Sequence, residues 1–359
     1  MAGHGTRGRS GGRPTLEEVA ARAGVGRGTV SRVINGSPRV SEATRAAVEA
    51  AVAELGYVPN TAARALAANR TDAIALVVPE PETRFFAEPY FSGMLRGVGA
   101  EITDTEMQLL LTFAGSARER QRLAQYLAAH RVDGVLLVSV HAGDPLPDLL
   151  AQLEIPTVIS GPRSADETLP SVDSDNFAGA RSAVTHLLER GRRTIAHIAG
   201  RSDVYGAQQR VGGYRAALEE HGIEEDGRLV LSGDFTEEGG RRAMADLLAA
   251  EPGIDAVFAA SDVMAAGARQ TLRAQGRGIP DDVALIGFDD SAIAHHMDPP
   301  LTSVRQPIEE MGRAMIDVLL AEIEDRRPAG APGHARPRRR TGAPRRVVLD
   351  TELVVRASA

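Results

Sequence analysis

Apolar residues recur at helical spacing near the start of the chain. Those of residues 16–23 share one helical face, Thr15 precedes them as a cap, and glutamates occupy the first turn. Gly-Val-Gly at residues 24–26 interrupts the pattern, which resumes at residues 29–34. A third amphipathic segment follows, capped by Ser41 and ended by a glycine. The pattern predicts a three-helix, helix-turn-helix head over residues 14–60.

The next segment, residues 61–70, is short, rich in alanine and without a broad apolar face. Isolated helices of this length are marginal in water. We therefore expect a hinge helix whose order depends on a partner.

Beyond residue 71, apolar strand-like runs alternate with helical patterns, which favours parallel α/β sheets. The runs are residues 73–78, 108–113, 134–139, 157–160, 194–199, 229–232, 256–260, 283–288 and 347–355. The pattern restarts near Asp173. It predicts two doubly wound lobes with a ligand cleft at the carboxyl ends of the strands.

The predicted boundaries divide this body into an N-lobe and a C-lobe. We assign residues 71–172 and 306–327 to the N-lobe and residues 173–305 and 346–359 to the C-lobe. Residues 328–345 are rich in proline, glycine and arginine and contain no acid, so we interpret them as a flexible insertion.

The charge of the chain is unevenly distributed. Residues 1–70 contain ten arginines and five glutamates, although the whole chain has a formal net charge of −7. A basic head on an acidic body is typical of a protein that neutralises phosphates at one end, although a solvated charged face has the same composition. The chain has no lysine, so arginine must make every such contact.

Several function classes find no support in the sequence. Without cysteine there are no disulfides, thiolate metal sites or cysteine nucleophiles. The nine histidines are scattered, and neither a nucleophile elbow nor a phosphate-binding loop occurs. Asp289 and Asp290 are adjacent on a turn, where two carboxylates seldom face one glycosidic bond. We expect no enzyme, no cofactor, no metal and no membrane span, and a cytoplasmic location.

Specific motifs resemble the LacI (lactose-repressor) family. In the head they are residues 15–35 (TLEEVAARAGVGRGTVSRVIN), 40–45 (VSEATR) and 55–60 (LGYVPN). In the body they are residues 186–191 (HLLERG), 210–214 (RVGGY), 259–262 (AASD), 287–290 (GFDD) and 300–306 (PLTSVRQ). The wording of residues 24–36 and 85–89 is similar to the cellobiose-responsive branch. The resemblance implies periplasmic-binding-protein lobes behind a DNA-binding head.

The resemblance also implies how the head contacts DNA. The second helix lies in the major groove, where Arg27, Gly28 and Arg32 occupy the base-reading positions. Gly28 stands where a long polar residue is usual, so either the DNA approaches closely or one base contact is missing. The expected phosphate contacts are Thr15, Thr29, Ser31, Asn35, Arg39, Ser41 and Tyr57. In the hinge, Leu66 with Ala63 beside it is expected to enter the minor groove, or to pack on the twin hinge helix.

For the effector, the family positions imply Arg210 and Asp289 as hydroxyl ligands, Phe235 as a stacking face and Ser261 on the opposite wall. Weaker candidates are Asp175, His141, Glu88 and Phe86. Structural roles remain open for several of these residues: Asp289 as a turn cap, Asp175 as a helix cap and His141 as a loop histidine.

These expectations describe a homodimeric repressor that binds a palindromic double-stranded DNA operator and is released by a small sugar, with cellobiose or another β-glucoside as the first candidate. The sequence has no terminal leucine heptad that could hold a tetramer together, and this favours a dimer. Two alternatives stay open: a corepressor-dependent regulator of the same family, and a periplasmic-type sugar-binding protein, which would carry a signal peptide and lack the head.

Overall fold

The computed structural model describes residues 14–34, 37, 39–57, 71–103, 105–225, 227–326 and 345–359. It contains two compact units, residues 1–71 and residues 72–359. Asn35, the predicted hinge with Ala63 and Leu66, and residues 328–344 of the predicted insertion lie outside the described residues.

The head consists of three helices, α1 (Leu16–Ala23), α2 (Arg27–Ile34) and α3 (Glu42–Leu55). Thr15 caps α1 by accepting a hydrogen bond from the Glu18 amide, while the Glu18 carboxylate accepts one from the Thr15 amide at 2.7 Å. This reciprocal capping box satisfies two amide donors that a helix start leaves free.

A glycine with φ of 67° ends α1 and starts the tight turn into α2. Only glycine adopts this left-handed conformation without strain. The core of the head is then closed by the apolar faces of all three helices, with Val19, Val30, Val33, Val48, Ala51 and Tyr57 buried. The helix-turn-helix prediction is confirmed.

The body begins with β1 (Ala73–Val78), α4 (Glu82–Ala87), α5 (Pro89–Ile102), β2 (Gln108–Phe113), α6 (Ala117–Ala128), β3 (Gly134–Leu137), α7 (Leu146–Gln152), β4 (Thr157–Ser160) and β5 (Ser171–Ser174). It continues with α8 (Asn176–Glu189), β6 (Ile195–Ala199), α9 (Tyr205–Glu220), β7 (Val230–Ser232), α10 (Glu237–Ala250), β8 (Ala256–Ala259), α11 (Asp262–Ala274), β9 (Ala284–Asp289), α12 (Ala292–His296) and β10 (Thr302–Arg305). The last elements are α13 (Ile308–Asp325), β11 (Arg346–Leu349) and β12 (Glu352–Val354).

The N-lobe sheet has the strand order β11-β5-β4-β3-β1-β2, and its described pairs are all parallel. Helices α5 and α13 cover one face of this sheet, and α6 and α7 cover the other. Its central strands are buried throughout, because helices remove both faces from water.

The C-lobe sheet repeats this plan with the order β12-β10-β9-β8-β6-β7. Helices α8 and α9 pack on one face, and α10 and α11 pack on the other. The edge strand β12 runs antiparallel to β10, whereas its other described pairs are parallel. The predicted pair of doubly wound lobes is therefore confirmed.

The structure corrects the assignment of the last strand. We expected residues 347–355 to form one strand within a C-lobe segment of residues 346–359, but β11 pairs with β5 in the N-lobe and only β12 joins the C-lobe. Asp350 and Thr351 separate the two strands. The last passage from the N-lobe to the C-lobe therefore lies between β11 and β12. The strands β5 and β10 were missed because they are four residues long and mostly polar.

One histidine of the C-lobe core is kept neutral by its burial. His197 is fully buried between the rings of Tyr214 and Phe258, with centroids 5.2 and 4.8 Å away. Its Nδ1 lies 2.9 Å from the Phe258 carbonyl oxygen, which fixes the ring as an Nδ1–H donor. Burial lowers the pKa of His197 to about 4.

We predict that His197 makes the body acid-sensitive. The unfolded chain takes up a proton near pH 6.5, whereas the folded side chain resists protonation to about pH 4, so stability falls as pH drops through this window. The slope for such a group approaches about 1.4 kcal/mol per pH unit. Urea unfolding of His197→Phe should show a weaker loss of stability between pH 7 and pH 4.5 than the wild type. The exposed His296→Phe is the control, and equal slopes in all three proteins would contradict the prediction.

Candidate functional site

A cleft opens where the carboxyl ends of the two sheets face each other. It holds about 830 Å³ of space between the protein atoms, and part of this space is open to solvent. The N-lobe contributes Arg84, Glu88, Tyr90, Ser139, Ser160 and Asp173, the C-lobe contributes Asn176, Tyr205, Arg210, Phe235, Ser261 and Asp289, and Gln306 comes from a crossover between the lobes. The cleft lies where the sequence analysis expected a ligand site.

Arg210 of α9 supplies the buried cation of the cleft. Its side chain donates to Asn176 Oδ1 at 2.8 Å and to the Ala260 carbonyl oxygen, and its guanidinium lies 3.8 Å from the centroid of the Phe288 ring. Burial lowers the pKa of Arg210, and the Asp289 charge opposes this effect. Arginine keeps its proton even so. The cleft therefore presents a fixed planar donor.

Asp289 lies at the end of β9 in an unusual backbone conformation, with φ of 108°. Such values are rare for residues other than glycine and occur often at binding sites. Gln306 holds the carboxylate by donating from Nε2 to Oδ1 at 2.6 Å. Burial raises the pKa of Asp289, and the Arg210 charge counteracts it. The strained backbone and the Gln306 hydrogen bond together orient the carboxylate.

Asp173 and Asn176 extend this polar floor into the start of α8. Asn176 Nδ2 donates to Asp173 Oδ1 at 3.0 Å and to the Ser174 carbonyl oxygen at 3.0 Å. Burial raises the pKa of Asp173 to about 6, although the Ser174 amide and Arg210 stabilise its charge. Asn176 has no donor left over, so it works as a fixed support for Arg210.

The N-lobe wall carries an ion pair next to an aromatic face. Arg84 Nε donates to Glu88 Oε1 at 2.5 Å, and the Arg84 guanidinium carbon lies 5.7 Å from the centroid of the Phe235 ring in the C-lobe. Burial raises the pKa of Glu88 to about 7 against the opposing Arg84 charge. The Phe235 ring packs on Gly200, where a Cβ would lie 2.1 Å from it. Gly200 therefore leaves the space that the Phe235 ring occupies.

Asp262 supports the turn that presents Asp289. It is fully buried and accepts hydrogen bonds from the Ser303 hydroxyl at 2.6 Å and from the Ser291 amide at 2.7 Å. A Cβ on Gly287 would lie 2.3 Å from its carboxylate, so the glycine makes room for it. Burial, and then the Asp289 charge, raise the pKa of Asp262.

The structure brings together five of the predicted effector residues, Arg210, Asp289, Phe235, Ser261 and Glu88, in the lining of the cleft. The Ser261 hydroxyl also caps α11 by accepting from the Met264 amide at 3.2 Å. Its helix-capping role limits how freely it can turn toward a ligand.

The other three predicted effector residues do not line the cleft. Asp175 accepts from the Ala178 amide at 2.9 Å and caps α8, the structural role that the sequence analysis had left open. Phe86 is 78% exposed. His141 contacts Glu80 and Asp203 instead.

Sequence reasoning missed Asp173, Asn176, Tyr90 and Ser160 as lining residues. Asp173 and Asn176 are close neighbours of the predicted Asp175. The prediction therefore located the segment that lines the cleft but named a side chain that does not line it. The hydroxyl of Tyr90 on α5 lies 2.5 Å from the hydroxyl of Ser160 on β4. The two residues are far apart in sequence, so no local pattern predicts this contact.

The two adjacent carboxylates at the end of β9 serve different sites. Asp290 lies 2.8 Å from Arg305 Nε and 2.6 Å from Arg356 Nη2, away from the cleft that Asp289 lines. They do not face one bond from two sides, as glycoside hydrolysis requires. Within the described ranges, no group of three or more His, Asp or Glu side chains is arranged to hold a metal ion.

The second helix of the head turns its polar side chains outward. Arg27, Gly28 and Arg32 are exposed, and Val30 and Val33 hold the opposite face in the core. Arg27 Nη1 lies 3.0 Å from Glu17 of α1, in a pair that is open to solvent. Such a pair is weak and readily exchanged for another anion.

Six of the seven expected phosphate contacts are among the described residues, and two of them, Thr29 and Ser31, lie on this helix. Thr15, Arg39 and Ser41 are exposed, Thr29 and Ser31 are partly exposed, and Tyr57 is buried with only 9% of its surface exposed. Tyr57 belongs to the core of the head, so little of its surface is available to a partner.

Gly28 has no packing reason within its own unit. A Cβ built on it meets no described atom within 4 Å, and its φ is not in the left-handed region. Because glycine costs a helix about 1 kcal/mol relative to alanine, its presence on the exposed face of α2 calls for a reason outside the fold.

Comparison with known proteins assigns both parts of this architecture. Residues 15–60 match the model of bacterial regulatory proteins of the lacI family, and residues 184–359 match that of the periplasmic binding protein-like domain. The HTH-type transcriptional regulator CelR of Thermobifida fusca is 49% identical over 348 residues, covering 96% of this chain and 98% of that protein. The chain belongs to the LacI family.

Other relatives extend the same result. The ribose operon repressor of Escherichia coli K12 is 35% identical and aligns over 86% of this LacI-family regulator and 93% of its own length. Among solved structures, a transcriptional regulator CelR–cellobiose complex is 48% identical, with a TM-score of 0.74 over 97% of this chain and 100% of that one. A lac repressor dimer bound to operator and the anti-inducer ONPF is 25% identical, with a TM-score of 0.80 over 97% and 99% of the two chains.

Membership of this family makes the chain a DNA-binding transcriptional regulator. Over the portion that the structure covers, no helix has both the length and the apolar composition to cross a membrane.

We predict that the buried Asp262 weakens the body at alkaline pH. Its folded pKa is raised, so its protonated form stabilises the fold at low pH, and this contribution is lost as pH rises through the folded pKa. Asp262→Asn cannot ionise. Its free energy of unfolding, relative to the wild type, should therefore rise between pH 5 and pH 9, by on the order of 1 kcal/mol. The exposed Asp246→Asn should show no such trend, and a parallel course of Asp262→Asn and wild type would refute the prediction.

Proposed function

We propose that this protein is a homodimeric repressor of carbohydrate-utilisation genes that leaves a palindromic operator when a small neutral sugar binds its cleft. The observation that carries the proposal is the arrangement of Arg210 and Asp289. A fixed planar donor and an oriented carboxylate acceptor lie in one cleft, with an aromatic face from Phe235. Vicinal sugar hydroxyls present donors and acceptors to such a pair, while the apolar face of a pyranose ring packs on an aromatic ring.

The balance of charge in the cleft favours an uncharged ligand. Asp173, Asp289 and Glu88 face only two arginines, Arg84 and Arg210, and both arginines already have partners. A phosphorylated sugar or a sugar acid would bring a further negative charge beside these carboxylates. The pKa of Glu88 is raised to about 7, which leaves a carboxyl that donates as well as accepts near neutral pH.

Cellobiose is the first candidate effector. A 48% identical regulator has been solved as a cellobiose complex, and its fold covers this whole body. The E. coli ribose operon repressor, at 35% identity, makes a pentose the natural competitor.

On the DNA side, we assign base reading to Arg27 and Arg32, because both are exposed on one helix whose other face is fixed in the core. Arginine pairs bidentately with guanine in the major groove. Thr15, Thr29, Ser31, Arg39, Ser41 and Tyr57 are the proposed phosphate contacts. Asn35, Ala63 and Leu66 keep the roles that the family resemblance implies.

We further propose that the chain has no catalytic activity and acts in the cytoplasm, where its DNA is. A corepressor-dependent regulator of the same family remains the competing function. It predicts the opposite sign, with the sugar tightening DNA binding.

The deciding experiment is a sugar panel against a selected operator. Inverted-repeat duplexes enriched from a random library define the operator, and fluorescence anisotropy at physiological salt then follows DNA release by cellobiose, laminaribiose, maltose, glucose and ribose. Release by cellobiose at micromolar to millimolar concentration is the expected result. Tighter DNA binding with sugar would establish the corepressor alternative, and no preference for any inverted repeat would end the proposal.

We predict that Gly28→Ala separates folding from DNA binding. Alanine should stabilise α2 by about 1 kcal/mol and raise the melting temperature of the head. If the DNA backbone or a base edge approaches Gly28, the added methyl group should weaken operator binding about tenfold or more, since a clash at a fixed contact is worth over about 1.4 kcal/mol. Ala46→Gly, at an exposed position of α3, should do the reverse by lowering stability without changing affinity. Higher stability with unchanged operator affinity would show that no close approach occurs at Gly28.

We predict that Arg210→Lys removes sugar binding while keeping the buried charge. Lysine still compensates Asp289 but lacks the planar fork that serves Asn176 and the Ala260 carbonyl together. Loss of a hydrogen bond to a charged group costs about 1.5–3 kcal/mol, so calorimetry with the inducing sugar should show affinity about 10- to 150-fold lower.

The matched control is Arg215→Lys on the same helix, where the arginine is exposed and pairs with Glu225. It should bind the sugar like the wild type. Wild-type affinity in Arg210→Lys would remove Arg210 from the site.

A further inference from the structure

A second polar contact joins the two lobes outside the lining of the cleft. His141, in the loop after β3, places Nε2 at 2.6 Å from Glu80 Oε1, within the N-lobe. Its Nδ1 lies 3.2 Å from Oδ2 of Asp203, which follows β6 in the C-lobe. This is an ion-pair distance, but the two atoms are not aligned as a hydrogen bond, so the attraction to Asp203 depends on the charge of the ring. The neighbouring backbone repeats the crossing, because the Ala142 amide donates to the Asp203 carbonyl oxygen at 2.8 Å. We call this set of contacts the His141 bridge.

Each end of the bridge is anchored in its own lobe. Glu80 is 4% exposed and also accepts from Arg84 Nη1 at 2.9 Å and from the Ser139 hydroxyl at 2.9 Å. On the other side, Arg201 holds Asp203 through two hydrogen bonds of 3.0 and 2.7 Å. The imidazole ring therefore lies between two carboxylates, each of which has an arginine partner in its own lobe.

The number of protons on the ring decides how many lobes it holds. A neutral imidazole donates through one nitrogen only, and its hydrogen bond to Glu80 uses that donor, so the neutral ring has no charge with which to attract Asp203. An imidazolium donates through both and attracts both carboxylates. A rotation that moved the lobes apart would take Asp203 away from the ring and leave the Glu80 contact, because Glu80 and His141 both belong to the N-lobe.

The charges around the ring favour the protonated form. The hydrogen bond to Glu80 is the main cause that raises the pKa of His141; burial counteracts it, the Asp203 charge adds to it, and the Arg201 charge counteracts it. Burial alone would raise the pKa of Glu80, but the His141 hydrogen bond and the Arg84 charge outweigh it and lower that pKa. The two Arg201 hydrogen bonds hold the pKa of Asp203 at about 2. Both carboxylates are thus ionised across the range in which the ring titrates.

We propose that His141 is a positioning residue that closes the cleft: its protonated ring ties Glu80 of the N-lobe to Asp203 of the C-lobe, so that effector binding is accompanied by uptake of a proton. The proposal rests on the proposed function only in taking the effector as the ligand that closes the lobes. The sign follows from the geometry. A ligand that selects the closed arrangement binds more tightly as the pH falls through the pKa of His141, and DNA release by that ligand is favoured in the same direction.

The bridge itself is tested without any sugar. In protein labelled with ¹³C-histidine, His141→Gln identifies the His141 ring signal, and its titration is followed by NMR in wild type and in Asp203→Asn. If the ring contacts Asp203 in solution, Asp203→Asn should lower the proton affinity of His141 at least about threefold. The signal of the exposed His130 should titrate identically in both proteins. An unchanged His141 titration would overturn the proposal.

The consequence for binding is tested by calorimetry with cellobiose between pH 5.5 and pH 8.5. Glu88 and Asp173 also titrate in the cleft, so the informative quantity is the difference between wild type and His141→Gln. Wild type should gain about three- to tenfold in affinity toward low pH beyond any gain of His141→Gln, as expected for one partly exposed ion pair. His130→Gln should follow the wild type.

A double-mutant cycle distinguishes a bridge from a structural defect. His141→Gln, Asp203→Asn and the double variant should lose the same pH-dependent gain, because one contact is removed in all three, while their melting temperatures at pH 8 remain close to the wild type. Additive losses would contradict the bridge. If cellobiose binds at no pH, the sugar proposal fails, and the NMR titration still decides whether the bridge exists.

Discussion

A buried guanidinium constrains the whole cleft. Arg210 is 8% exposed, and a charge removed from water must be matched by hydrogen-bond acceptors and opposite charge at fixed places. Asn176, the Ala260 carbonyl and the Asp289 carboxylate meet this need, and each is delivered by a different strand or helix end. The same contacts that compensate the buried charge of Arg210 thus also set the geometry of the proposed sugar site.

Asp289, which compensates the charge of Arg210, also connects the cleft to the chain segments that join the two lobes. Gln306 lies on a crossover between the lobes, donates to Asp289 at 2.6 Å and accepts from the Ser174 hydroxyl at 2.6 Å. Ser174 ends β5, immediately before the chain enters the C-lobe. A ligand that takes over one hydrogen bond of Asp289 therefore alters a chain of contacts that ends at two crossovers. Ligand binding and the relative orientation of the lobes can therefore be coupled without a long-range path, because the site includes residues of the segments that connect the lobes.

What could be predicted from the sequence follows the range of the interactions involved. The head is encoded locally: caps at Thr15 and Ser41, glycine breaks and a 3.6-residue period lie within a few residues of the structure they specify. The long apolar strands were located for the same reason. Arg210 and Asp289 were named only because family motifs carry them, since nothing in their local pattern distinguishes a cleft residue from a capping one.

The failures are all non-local. β5 and β10 are four-residue, mostly polar segments whose strand character comes from neighbours far away in sequence, and β11 was assigned to the wrong lobe because its partner is 175 residues earlier in the register of Arg346 with Ser171. His141 was expected near a ligand, but its partners Glu80 and Asp203 come from two other strand ends.

Sugar and operator DNA favour different arrangements of the protein under the proposed function, and their binding affinities are therefore linked. If sugar binding lowers DNA affinity by some factor, DNA binding must lower sugar affinity by the same factor, whatever path connects the sites. A proton that favours the same closed arrangement enters this relation as a third ligand, and its effect on DNA is bounded by the preference of His141 for one arrangement over the other. One half-buried bridge supplies a small preference, whereas a sugar that occupies the whole cleft supplies a large one. Acidity can therefore adjust the sugar concentration at which the regulator leaves its operator, but it cannot replace the sugar.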